Sequence, residues 1–308
     1  MMTEAEPDAR ESQATATGGR LQATVGALYA RVQAHFLRKL PPDILLDRIC
    51  KVCDGRPASV FSVILRRLPG YTLPQEINIQ LYRSVIAKMY LQGEGIEIGA
   101  LNQPLSVPPC ARVRYLDRLT VSGQRAHYPE FKDQPLPEID ILDDGQALAS
   151  VADGSQDFVI ANSVLEHLES PLTAVENAFR VLKPGGLYFF TVPDKQTCFD
   201  LNRPVTPFEH LLQDYRDGGA ASRRGHYEEW VRIVKGITAD DHAEKEVEKL
   251  MAENYSIHYH CWTYAEAMEL VHRMRSALEL DFGLKLAYRG GDAGFREIVF
   301  VLQKAPVD

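Results

Sequence analysis

The sequence predicts an α/β fold: a seven-stranded, mostly parallel sheet with a late antiparallel hairpin, a helical N-terminal region and a mixed insert before the last strands. Three observations carry this reading. Between residues 93 and 194, short apolar runs ending in Gly, Asp or Asn alternate with helical stretches, as in a parallel sheet covered by helices on both faces. Near the C-terminus two apolar runs follow so closely that they must pair antiparallel. Between these parts, residues 195–275 lose the strand rhythm and gain charge, aromatic rings and histidine.

The elements follow in order. Residues 1–20 are acidic, rich in small residues and without an apolar segment, so a disordered leader and not a signal peptide is expected. Residues 21–92 carry apolar positions at three- and four-residue spacing, with breaks at PPD (41–43) and PGYTLP (69–74). They predict three or four helices, suited to capping the next domain, forming a lid or making a homodimer contact. Strands are predicted at GIEIG, ARVRYLD, EIDILDD, QDFVIANS and GGLYFFTVP. An amphipathic helix, PLTAVENAFRV, precedes the fifth and is stopped by Lys183-Pro184-Gly185-Gly186. The core is therefore 93–194, completed by LKLAYRG and REIVFVLQK within 276–308, with the insert at 195–275 predicted as helices, irregular segments and a short strand near SIHYHCW.

Composition bounds the function. The chain has 308 residues, 45% hydrophobic and 25% charged, with a net charge of −8. Nucleic acid and anionic membrane surfaces are not expected partners, and no run of about 18 apolar residues predicts a membrane span. Five scattered cysteines fit a reducing cytoplasm. Cys50 and Cys53 form a C-x-x-C without the second pair a zinc ribbon requires.

In an open parallel sheet, ligands bind beyond the carboxyl ends of the strands. Those ends carry Glu97 and Gly99, then Asp117, then Asp143-Asp144-Gly145, then Asn162. Gly99 lets the backbone approach a ligand. Asp117 can accept from two vicinal ribose hydroxyls, Asp143 or Asp144 from an adenine amino group, and the Gly145 amide can donate to a ring nitrogen. One such acid alone can be a helix cap or turn residue. Acids ending strands two and three together point to a bound nucleoside.

The runs IEIGA, VRYLDR, ILDDGQALASVADGSQDFVIANSVLEHL and VLKPGGLYFFTVPDK resemble class I S-adenosylmethionine-dependent methyltransferases, in the broad group of small-molecule type 11 enzymes. The resemblance covers roughly residues 90–195 and the terminal strand pair. It implies a Rossmann-like core, S-adenosylmethionine as cofactor, and a cofactor site at Glu97, Gly99, Ala100, Asn102, Asp117, Arg118, Asp143, Asp144, Gly145, Asn162, Ser163 and His167. One departure stands out: Leu101 occupies the place of the family's second glycine, and Pro104 disfavours a helix start at Gln103. A nicotinamide cofactor also suits Asp117, but the G-x-G-x-x-G pattern and a following helix N-terminus are missing.

The insert is expected to bind the acceptor, a small molecule or glycan. It carries His210, His226, His242, His258 and His260, with His272 at its close. His258 and His260, two apart in IHYHCW, would share one side of a strand. That spacing suits metal ligation completed by His210 or Asp214, an exposed strand face, or proton transfer. We expect no metal and a general-base role for one of His210, His226, His258 and His260, because methyl transfer to a hydroxyl needs a base. Arg203, Arg223 and Arg224 could bind an anionic group, and Tyr227 and Trp230 could stack on a ring. Two other readings stay open: intramolecular attack within S-adenosylmethionine, and a cofactor-bound scaffold without catalysis.

Overall fold

The computed structural model describes residues 75–290 and 296–306. The leader, the helices expected before residue 75, Cys50, Cys53 and most of the GGDAG turn lie outside the described residues. The chain order is α1 (Gln75–Tyr90), β1 (Gly93–Ile98), β2 (Ala111–Asp117), α2 (Val121–His127), β3 (Ile141–Leu142), β4 (Gln156–Asn162), α3 (Pro171–Val181) and β5 (Leu182–Pro193). There follow α4 (Phe208–Asp217), α5 (Arg223–Glu229), a π-helical turn at Trp230–Val234, α6 (Asp240–Ala252), α7 (Tyr264–Ala277), β6 (Phe282–Gly290) and β7 (Glu297–Lys304).

The seven strands form one sheet in the order β3-β2-β1-β4-β5-β7-β6. The first five are parallel, while β7 runs antiparallel to both β5 and β6. This is the predicted class. Central strands read as continuous apolar runs because helices cover both faces: Phe158–Ala161 of β4 and Ile298–Leu302 of β7 are wholly buried. α1 buries Tyr82, Val85 and Ile86, and also Arg83, whose guanidinium pairs with Glu297 of β7 and donates to Ser163 Oγ and Thr191 Oγ1.

Two strand expectations change. The third strand, expected across EIDILDD, pairs with β2 only at Ile141 and Leu142. Its flanking acids are turned to local amides instead: Asp140 accepts from Tyr115 N at 2.8 Å, and Asp143 accepts from Asp144 N and Ser150 N, each at 2.7 Å. The strand expected near SIHYHCW contributes a single bridge, Trp262 to Asp194. The amides of Tyr259 and His260 both point at the Glu166 carbonyl, at 2.7 and 3.3 Å. Successive amides of a flat strand point opposite ways, so the chain is kinked here.

The insert holds a small hydrophobic core of its own, with Tyr227, Val231, Val247, Leu250, Ile257 and Tyr259. Helices α4 and α7 instead send Phe208, Leu211, Leu270 and Met274 into the main core. α7 begins with a full capping box, Thr263 and Glu266. Among the described residues no helix is long and apolar enough to cross a membrane.

Candidate active site

The strand order reverses between β1 and β4, and a crevice opens beyond their carboxyl ends. A cavity of about 870 Å³ lies there, within the range of small-molecule sites. Its sheet side is lined by Gly99, Leu101, Asp117, Arg118, Asp144 and Gly145, joined by Ser163 and His167. Much of this wall is shaped by the backbone. Gly99 has φ +62°, and Leu101 has φ +46°, so the chain keeps a left-handed turn where the side chain disfavours it. Ser163 (φ +51°) and Asn254 (φ +48°) line the same cavity in the same conformation, a concentration of strain expected at functional sites. A Cβ on Gly145 would come within 2.5 Å of Ile98 Cγ2, so only glycine lets the third strand's turn lie this close to β1.

Other residues expected here serve the wall from behind. Both Glu97 carboxylate oxygens accept from Leu105 N, at 3.1 and 3.0 Å, and Asn162 Nδ2 donates to Oε1 at 3.3 Å. Burial raises the Glu97 carboxyl to about 7, against these hydrogen bonds. Asn102 donates to Gln134, and Asp143 is held by Ser150 and its neighbouring amide. Glu97, Ala100, Asn102, Asp143 and Asn162 are not among the residues lining the cavity. Asp117 does line it; one oxygen accepts from Leu119 N at 2.8 Å, and burial raises its pKa.

The insert closes the opposite side and divides the histidines. His258 lines the cavity, and its Nδ1 donates to Asp200 Oδ2 at 2.6 Å. Burial alone would raise the Asp200 carboxyl, but His258 and Arg203 hold it below the usual range. Arg203 is itself buried, donating to Asp200, Glu229 and the carbonyls of His258 and Tyr259. It is therefore spent inside the protein, not offered to a substrate anion. His167 Nδ1 donates to the Ile257 carbonyl at 3.0 Å, and burial, then His258, lowers its pKa to about 3. Glu166 is buried with neither carboxylate oxygen hydrogen-bonded, and burial raises it to about 8.

His210, His226 and His260 gather with Asp214 in a second cluster whose members are absent from the cavity lining. So His258 and His260 do not act as one pair; the kink at Tyr259 sends them to different partners. Of the expected substrate residues, only Trp230 lines the cavity. Arg223 is paired with Glu169, Arg224 with Glu228 and Glu244, and the buried Tyr227 hydroxyl donates to the Tyr255 carbonyl at 2.8 Å.

Residues 102–190 match a family model described as a methyltransferase domain. This stretch is a methyltransferase domain. A probable S-adenosylmethionine-dependent methyltransferase of Mycolicibacterium smegmatis is 35% identical over 94 residues, covering 30% of this chain and 33% of that one. A thiol S-methyltransferase of Homo sapiens is 31% identical over 90 residues, covering 27% and 34%. The chain thus spans about a third of the length of the curated relatives it matches. A solved S-adenosylmethionine-dependent methyltransferase structure from Methanosarcina mazei covers 72% of this chain and 98% of its own, at 18% identity and a TM-score of 0.40.

The cofactor of this methyltransferase domain is S-adenosylmethionine. The cavity fits it: Asp117 offers a carboxylate at the end of β2, and bare backbone at Gly99 and Gly145 allows close approach. Sequence reasoning missed Asp200, Phe199 and Tyr128. Asp200 left a local trace, lying three residues before Arg203 just after the fifth strand; Phe199 and Tyr128 reach the cavity only through the fold.

Proposed function

We propose that the chain transfers a methyl group to a hydroxyl of a small-molecule or glycan acceptor, with His258 as general base. The observation that supports this best is the buried His258–Asp200 hydrogen bond at 2.6 Å in the cavity wall. When bound, S-adenosylmethionine supplies an electrophilic methyl group, so the chain has to align the acceptor and take its proton. Asp200 holds Nδ1 of His258, which leaves Nε2 as the nitrogen that receives the proton. Arg203 fixes both members, bonding Asp200 Oδ1 and the His258 carbonyl at 2.8 Å each. Phe199 and Trp230 meet edge to face at 5.2 Å and flank the His258 ring, an aromatic wall suited to a sugar or planar ring. His167, held neutral and bonded to Ile257, serves as a wall residue and not as the base.

A panel of hydroxyl acceptors, assayed with wild type, His258→Ala and Asp200→Asn, tests this. Turnover should fall about 10²–10⁴-fold in His258→Ala while calorimetric S-adenosylmethionine affinity is kept. A loss of only a fewfold would end the base role and point to an amine or thiol acceptor. Methylthioadenosine formed without acceptor would replace methyl transfer by intramolecular attack. Affinity without turnover on any acceptor would indicate a scaffold.

A further inference from the structure

We propose that His210, Asp214, His226 and His260 bind a divalent first-row metal ion of the zinc type, and that this ion ties the insert to the main core.

The side chains come from three places. His210 and Asp214 are four residues apart on α4 and so share one face of the helix. His226 comes from α5 and His260 from the kinked segment before α7. Their tips converge. His210 Nε2 lies 3.1 Å from both His226 Nε2 and Asp214 Oδ2, and Asp214 Oδ2 lies 3.9 Å from His226 Nε2 and 3.7 Å from His260 Nε2. One ligand atom from each residue lies within 4.8 Å of every other. Bonds of about 2.0–2.1 Å around a tetrahedral ion would place ligand atoms about 3.3–3.4 Å apart. The four measured separations straddle that value.

The second observation is independent of spacing. His260 and Asp214 are fully buried, yet neither His260 ring nitrogen nor Asp214 Oδ2 makes a hydrogen bond. Leaving a buried polar atom unsatisfied costs roughly 1–3 kcal/mol, and here three such atoms belong to two side chains facing one point. An ion bound there would satisfy His260 through Nε2 and Asp214 through Oδ2. Asp214 is also oriented from behind, because Ser222 Oγ donates to its other oxygen. The His210 side chain is 35% exposed and offers a path for entry.

Three imidazoles and one carboxylate suit zinc among the common ions. With four protein ligands and no place in the cavity lining, the site is structural in kind. Its position gives it a job. Leu211 of α4 packs in the main core, whereas Tyr227 and Tyr259, each next to a ligand in sequence, pack in the insert's own core. The ion would join the two cores and hold the segment that carries His258. The site itself stands whether or not His258 is the base.

Full-length protein expressed with added zinc should contain about one equivalent of metal by mass spectrometry. Chelator-stripped protein should take up one Co²⁺ and show the visible bands of a tetrahedral site. Ser222→Ala, which touches no ligand atom directly, should weaken metal affinity about 10–100-fold. His210→Gln, at the most exposed ligand, should weaken it at least as much with far-ultraviolet dichroism unchanged. Absence of metal from wild type together with no Co²⁺ uptake overturns the proposal. So does equal affinity in wild type, Ser222→Ala and His210→Gln. Should His210→Gln misfold, the Co²⁺ spectrum of wild type and the Ser222→Ala affinity still decide.

Discussion

The two walls of the cavity are built by different means. The sheet wall is mostly backbone: left-handed residues at Gly99, Leu101 and Ser163, a close approach at Gly145, and the Asp117 carboxylate at the end of β2. The insert wall is held by buried charge, with Arg203, Asp200 and His258 in one network and Asp214 among three histidines in another. A sheet can define a site through backbone because its strands are fixed on both sides by ladders. The insert has a small core and few ladders, so ion pairs and hydrogen bonds must set its register.

That contrast can be broken most severely at Arg203. Arg203→Ala leaves Asp200 and Glu229 without their buried cation and should cost about 3–5 kcal/mol. The melting temperature should fall by several degrees and turnover with it; an unchanged melt would show that the network does not hold the insert. On the sheet wall, Asp117→Ala should leave the fold intact and weaken S-adenosylmethionine on the order of tenfold or more, since hydrogen bonds to a charged group are worth about 1.5–3 kcal/mol each. Unchanged affinity in calorimetry would remove Asp117 from the ribose site. A smaller effect sharpens the backbone argument: Leu101→Gly should be more stable than Leu101→Ala by about 1 kcal/mol in denaturant melts, because only glycine relaxes at φ +46°. Equal stability would mean the turn is not strained.

A separate prediction concerns pH. The Glu97 carboxyl is raised to about 7 by burial, against hydrogen bonds from Leu105 and Asn162 and the charge of Arg83. Tyr115, also beside it, is neutral over this range. A raised carboxyl stabilises the fold below its unfolded pKa, and that contribution is lost as pH rises from about 4.5 through about 7. Glu97→Gln lacks this loss, so its stability relative to wild type should rise across that window. A difference that stays flat with pH would show Glu97 to be ionised throughout.

Strand ends were legible from the sequence because an apolar run closing on Gly or Asp is a local signal. Asp117, Asp144 and Gly145 were found that way, Ser163 and His167 through the family resemblance, and all five line the cavity. Glu97 and Asn162 were named for the same reason, yet they turn to Leu105 and to each other. Which way a strand-end side chain turns is set by neighbours the run does not reveal. Leu101 shows the same limit: the sequence marks a side chain in place of a glycine, and only the structure shows that this residue takes a left-handed turn.

By itself the sequence determined the sheet class, the order of core and insert, and the crescent of polar strand ends, because each follows from local periodicity and local breaks. Tertiary structure alone decided the histidines. Two residues apart on a strand, His258 and His260 should share a side; with the Tyr259 and His260 amides both drawn to the Glu166 carbonyl, the chain kinks between them. One imidazole then meets Asp200 in the cavity and the other meets Asp214 behind it, a division set by partners 58 and 46 residues away in the chain.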